Sequence, residues 1–197
     1  RAILETFIPF AEKNRITFQT TLPEHEIELY IDAEKIEKVI INLVFNAFKF
    51  VSSMGRVTLE IKEKKDEVVF TVFNSGEGLP RDVLDKVFDR YAQFENYSAP
   101  HGTMTAGTGL GLALAKEFVD LHKGTIAMKN EKGKGVICSF TLPKGMGHIS
   151  KDLLAMGWGE LDRRKDEQGQ RTRELPNVGV SSLYTVSAGF YSRKKSE

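Results

Sequence analysis

The chain has 197 residues, 41% hydrophobic and 28% charged, with 28 Lys/Arg against 27 Asp/Glu and a net charge of +1. These are the values of a protein that folds in water around an ordinary core, and the even balance gives no argument for binding nucleic acid or an anionic membrane surface. One cysteine, Cys138, excludes an internal disulfide framework and fits a reducing, cytoplasmic compartment. No apolar run approaches transmembrane length, and the opening RAILETFIPF lacks the basic head and long apolar body of a signal peptide. The chain starts at Arg1 and reads as a piece of a longer protein, whose parent is either soluble or membrane-anchored.

Residues 2–15 place Ile3, Phe7, Ile8 and Ala11 at helical spacing and predict a short amphipathic helix. Ile16, Phe18 and Thr20 then alternate with polar residues, as do Ile27, Leu29 and Ile31, which predicts two short strands bracketing the turn at Pro23. Over residues 32–50, Ala33, Ile36, Val39, Ile40, Leu43, Val44 and Ala47 recur at steps of three and four, one apolar stripe of a long helix. Beside that stripe stand Asn42, Asn46 and Lys49, spaced to stack along one edge of the helix. Asn is a poor helix former, so two of them here admit two readings. Either they are core-edge residues satisfied by backbone, or a carboxamide oxygen serves as a hard-cation ligand beside a lysine that takes phosphate.

After Met54 and Gly55, Val57, Leu59 and Ile61 alternate, a charged turn follows at residues 64–66, and Val68, Phe70 and Val72 alternate again, which predicts an antiparallel hairpin with one buried face. FNSGEGLP at residues 73–80 is a glycine and proline turn, and residues 81–89 carry Val83, Leu84 and Val87 at helical spacing. Residues 91–106 have no period and read as a loop, whose length marks it as functional or mobile. Gly107, Gly109 and Gly111 then open a helix with a stripe of Leu112, Ala115, Phe118, Val119 and His122, closed by Gly124. Residues 126–128 and 136–142 give two last strands around EKGKG. Paired strands with helices between the pairs predict an α/β sandwich, its mixed and mostly antiparallel sheet covered by helices on one face.

This domain occupies residues 1–144. Residues 145–197 carry nine Lys/Arg and seven Asp/Glu and little apolar patterning, and they read as a poorly ordered tail or linker with at most a short helix at 150–156.

Each polar motif taken alone is weak. Glycines in FNSGEGLP let a backbone lie close to a flat ligand, with Asn74 ready to accept and donate. Glycines at a helix start offer N–H groups and a positive dipole end to phosphates, yet no strand precedes them and no G-x-x-x-x-G-K-[ST] is present, so neither a dinucleotide fold nor a P-loop is supported. Arg90 lies between the two clusters, within the sequence VFDRYAQFE.

In this order the motifs resemble the ATP-binding catalytic domain of sensor histidine kinases, a Bergerat-type fold: NLVFNAFKF is similar to that family's N box, FNSGEGLP to its first glycine box, VFDRYAQF to its F box and GTGLGLALA to its second glycine box. The resemblance spans residues 16–143. It implies that Asn46 binds the Mg²⁺ bridging the phosphates, and that Asn42, Lys49 and Arg90 contact phosphates or the ion. Asn74, Gly76, Gly78 and Leu79 would form the adenine pocket, with Phe50 and Tyr91 beside the nucleotide. Gly107, Thr108, Gly109, Leu110, Gly111 and Leu112 would close the phosphate side under a lid at residues 91–106. ATP and Mg²⁺ are the implied cofactors.

Two departures matter. The family usually has Asp where this chain has Asn74, which removes charge assistance from adenine recognition. ATPases of the gyrase, Hsp90 and MutL type place a Glu four residues before the metal-binding Asn as general base, and here that position is Asn42, so the γ-phosphoryl would wait for a better nucleophile than water. The resemblance implies that this nucleophile is a histidine on a separate dimerisation and phosphoacceptor domain of the same parent, a homodimer, with a response regulator downstream. None of His25, His101, His122 and His148 suits that role, since a phosphoacceptor needs a long exposed helix. The alternative function is a nucleotide-dependent interaction switch without phosphotransfer.

Overall fold

The computed structural model describes residues 5–92 apart from 26, residues 109–145, residue 147 and a two-residue strand at 183–184. Residues 1–4 lie outside the described residues, and of the helix expected over residues 2–15 the structure shows α1 (Ile8–Lys13). The Asn14 side chain donates to the Phe10 carbonyl at 2.9 Å and Arg15 turns to φ 55°, which ends it. Strand β1 (Thr17–Thr21) then runs parallel to β3 (Arg56–Glu63), Phe18 opposite Val57.

The stretch after Pro23 departs from expectation. Ile27, Leu29 and Ile31 are all buried, as their alternation implies, yet only β2 (Ile31–Asp32) is a strand, and its antiparallel partner is β7 (Leu183–Tyr184), not β1. Alternation reports which side chains meet a core; it does not supply a ladder partner. Phe18 explains where β1 goes instead. Its ring packs edge-on against Phe48 at 5.1 Å, a contact made with β1 beside β3.

The long helix α2 (Ala33–Phe50) starts where Asp32 accepts from the Lys35 N–H at 3.1 Å, a side-chain cap that also pairs with the Lys35 ammonium. Its buried stripe is Ile36, Val39, Leu43, Val44, Ala47 and Phe48. Phe48, fully buried, stacks on Phe7 at 5.3 Å and takes Phe10 edge-on at 5.8 Å, tying α1 to the same core.

Strands β3 and β4 (Glu67–Ser75) form the expected hairpin, and β6 (Gly135–Pro143) and β5 (Ile126–Glu131) extend it antiparallel, giving the order β1-β3-β4-β6-β5. Among the described strands only the β1–β3 pair is parallel. Val57, Leu59, Val68, Phe70, Val72, Val136, Cys138, Phe140 and Leu142 point to one face, and α2 with α4 (Gly111–Leu121) covers it. This is the two-layer sandwich that the pattern of elements predicts.

Between β4 and α4 the expected helix over 81–89 is α-helical only at α3 (Arg81–Leu84). Beyond it the chain tightens to three-residue steps, Lys86 N–H to Val83 O and Asp89 N–H to Lys86 O, both 3.0 Å. Val83 and Val87 stay buried, so the periodicity was that of burial rather than of α hydrogen bonding. Most of the lid, residues 93–106, and the helix suggested at 150–156 lie outside the described residues. Among the described residues no helix is long and apolar enough to cross a membrane.

Candidate nucleotide-binding site

Helices α2 and α4 pack antiparallel, and two contacts set their register. Near the start of α2, the Asp32 N–H donates to His122 Nε2 at 2.9 Å, at the end of α4. Ten residues further along α2, the Asn42 carboxamide oxygen lies 3.1 Å from where a Gly111 Cβ would stand, at the start of α4. A side chain at 111 would push Asn42 aside. Glycine therefore lets the carboxamide abut a helix N-terminus, whose first N–H groups lack intrahelical partners and carry the positive end of the dipole. The N-cap residue, Leu110, brings them no side-chain acceptor.

One turn along, the Asn46 NH2 donates to the Asn42 carbonyl at 2.8 Å. The backbone-satisfied reading of the pair holds for the Asn46 amide nitrogen. The amide nitrogen is satisfied by backbone, which orients the group and leaves Oδ1 as the atom able to take a hard cation. A half-buried carboxamide oxygen is a donor of the kind a magnesium ion takes, and the helix N-terminus beside Asn42 is of the kind that favours phosphate. Among the described residues no cluster of three His, Cys, Asp or Glu is placed to hold a metal. Lys49, the third residue on this edge, holds its ammonium 5.2 Å from the Phe50 ring centroid.

At the same end of the sheet, Val57, Asn74, Val136 and Asn130 stand opposite one another across β3, β4, β6 and β5. Directly paired residues share a face, so Asn74 and Asn130 both project to the helix-covered side. The loop carrying Gly76, Gly78 and Leu79 leaves β4 just beyond Asn74. Its anchors are side chains from elsewhere: Asn130 Oδ1 accepts from the Leu79 N–H at 2.9 Å and Asn130 Nδ2 donates to the Leu79 carbonyl at 2.7 Å. Ser75 Oγ accepts from the Arg56 N–H at 2.8 Å.

The segment after α3 reaches the second glycine cluster directly, the Tyr91 N–H donating to the Gly109 carbonyl at 3.1 Å. Arg90 does not stand alone: Nε and Nη2 donate to Glu117 Oε1 on α4 at 3.0 and 2.5 Å, and that carboxylate pushes the guanidinium pKa further up. Tyr91 is exposed. The fold thus sets Asn42 against Gly111, with Asn46 and Lys49 further along the same helix, and places Asn74 at the sheet end where the loop of Gly76, Gly78 and Leu79 begins. Gly107 and Thr108 lie outside the described residues.

Sequence reasoning missed Asn130, Glu117 and the Asp32–His122 link. Asn130 had a signal, since Ile126 and Met128 set the inward phase of its strand and an Asn continues it. Glu117 had none, because its partner is 27 residues away. His122 is buried, with Nδ1 to the Phe118 carbonyl at 2.6 Å, and His25 meets Glu63. His101 and His148 lie outside the described residues.

A family profile described as "Histidine kinase-, DNA gyrase B-, and HSP90-like ATPase" matches residues 31–146. Histidine kinase P4 of Formosa agariphila is 30% identical over 149 residues, 76% of this chain but 11% of its own length, so the chain spans a small part of that relative. The solved catalytic domain of histidine kinase ThkA superposes with a TM-score of 0.63 at 28% identity, covering 73% of this chain and 89% of that one. ThkA in complex with the response regulator protein TrrA is similar at a TM-score of 0.60 and 25% identity, over 74% of this chain and 39% of that one.

Proposed function

The chain belongs to the histidine kinase-, DNA gyrase B- and HSP90-like ATPases, and on that premise we propose that it holds MgATP and presents the γ-phosphoryl to a histidine on a separate domain of its parent, as the catalytic part of a two-component sensor kinase. The observation that carries the reading is the abutment of Asn42 on Gly111, which sets the polar edge of α2 against the N-terminus of α4. Asn74 Oδ1 accepts the adenine amino proton, and Gly76, Gly78 and Leu79 floor the base. Asn42, Lys49 and Arg90 orient the phosphates with the N–H groups from Gly109 to Leu112. Gly107 and Thr108 complete that wall by their place in the sequence.

Asn46 Oδ1 is the residue to hold magnesium, which when bound neutralises phosphate charge and polarises the phosphorus–oxygen bonds. The protein's part is positioning and electrostatics. Position 42 carries a carboxamide, which cannot take a proton from water, so hydrolysis has no base there. An imidazole nitrogen of the partner histidine attacks the γ-phosphorus, the bond to the β–γ bridging oxygen breaks, and ADP leaves with that electron pair. A response regulator is the proposed next acceptor, and the cytoplasm the proposed location.

The test is to titrate the chain with MgATP by calorimetry, then to mix it with a helical-hairpin domain carrying an acceptor histidine and ATP labelled in the γ position. Heat of binding and acid-labile label on the histidine are expected. Binding without transfer would leave a nucleotide-dependent switch, and rapid phosphate release by the chain alone would restore hydrolysis.

A further inference from the structure

We infer that Asn130, a residue of β5 outside every nucleotide motif, is a positioning residue that sets the base-binding loop and thereby the affinity for adenine. The inference rests on the ATP reading above and adds to it a residue and a role.

Three observations carry it. Asn130 Oδ1 and Nδ2 together satisfy both the N–H and the carbonyl of Leu79, at 2.9 and 2.7 Å, so one side chain holds the two peptide groups that flank the Leu79 Cα, as a neighbouring strand would. Asn130 also occupies the space over the preceding turn. A Cβ on Gly78 would lie 2.9 Å from Asn130 Oδ1 and 3.0 Å from its Cγ, and Gly78 sits at φ +95°, a conformation that glycine adopts without strain. The two residues fit as a pair. Third, Asn130 is in register with Val136, and Val136 with Asn74, so the clamp stands on the same row and face as the base-contacting candidate, two strands away. At about 4.8 Å per strand that separation is roughly 10 Å, the breadth of a purine with its contacts. Asn74 holds one side of the pocket; Asn130 holds the loop that forms its floor.

Asn74 lacks the carboxylate that the resemblance implies is usual in the family, so no charge-assisted contact at that position compensates for misplacement of the base. Geometry held by Asn130 then carries more of the discrimination.

The experiment uses the full chain with magnesium, and titrates ATP and inorganic tripolyphosphate against wild type, Asn130→Ala, Asn130→Asp and Asn130→Gln. Asn130→Ala removes two hydrogen bonds and is expected to weaken ATP about tenfold, with tripolyphosphate affinity and melting temperature unchanged. Asn130→Asp keeps an acceptor for the Leu79 N–H but sets an oxygen against the Leu79 carbonyl, and is expected to fall with Ala; Asn130→Gln carries the same amide and is expected to recover part of the loss. Unchanged ATP affinity in Asn130→Ala, or equal losses for ATP and tripolyphosphate, overturns the inference. Wild type failing to bind ATP overturns the ATP reading itself and the inference with it.

Discussion

At the end of the molecule where α2 begins, polar groups are closed on one another. Asp32 caps α2 and pairs with Lys35, its N–H reaches His122, and Glu63 at the end of β3 accepts from Lys144 and His25. At the opposite end, where α2 finishes and α4 starts, Asn42 abuts Gly111, Asn46 and Lys49 follow it along α2, and Asn74 precedes the glycines of the loop after β4. The same helix runs through both ends. On the proposed function, the difference teaches that ligand chemistry is confined to one edge of α2 beside the uncapped start of α4, while Phe48 on the same stretch of helix still packs the core.

Substitutions sharpen or break this division. The largest effect is expected from Asn46→Ala, which removes the cation-holding oxygen and should weaken MgATP about 100-fold, while the melting temperature stays within a degree or so. Calorimetry and a thermal scan check the two halves, and an equal loss of stability would place Asn46 in the structural class. Next comes the mirror change at the closed end. His122→Ala strands the buried Asp32 N–H and should cost about 2 kcal/mol by denaturant titration, with nucleotide affinity nearly unchanged.

Glu63→Gln tests the same end through pH. The hydrogen bond from Lys144, then that from His25, hold the Glu63 carboxyl below the ordinary glutamate value of 4.5. A carboxyl depressed in the folded state adds stability that is complete above its unfolded value and is lost as pH falls through the folded one. Wild type should therefore lose more stability than Glu63→Gln when taken from neutral pH to below 4.5, as read from urea midpoints at both. The smallest effect belongs to the border between the two regions. Glu117→Gln releases Arg90 from an exposed ion pair, and about a twofold gain in ATP affinity is expected; a loss would mean that Glu117 holds Arg90 in its working position. In the middle of the sheet, Cys138 is walled off from either end. Burial pushes its thiol up to about 12, so a maleimide should label it only after unfolding.

Much of this was legible in the residues themselves. The stripe from Ile36 to Phe48 named α2 and its buried side, the alternations in β3, β4 and β6 named the inward face, and four polar motifs in a fixed order carried the resemblance to the family. Local pattern suffices there because periodicity and turn chemistry are properties of adjacent residues. It misled at residues 27–30 and 85–89, where the spacing was that of burial and the hydrogen bonding was something else.

The chain's own order of residues determined its class, its core side and its nucleotide motifs. Only the tertiary structure decided that β1 lies parallel beside β3, that Asn42 meets Gly111, and that Asn130 holds the backbone of Leu79. Those pairings join residues between 39 and 69 positions apart. A pattern read over one or two helical turns carries no information about which distant group will arrive, because that is settled by how the layers close over Phe48 and bring the strand ends into register.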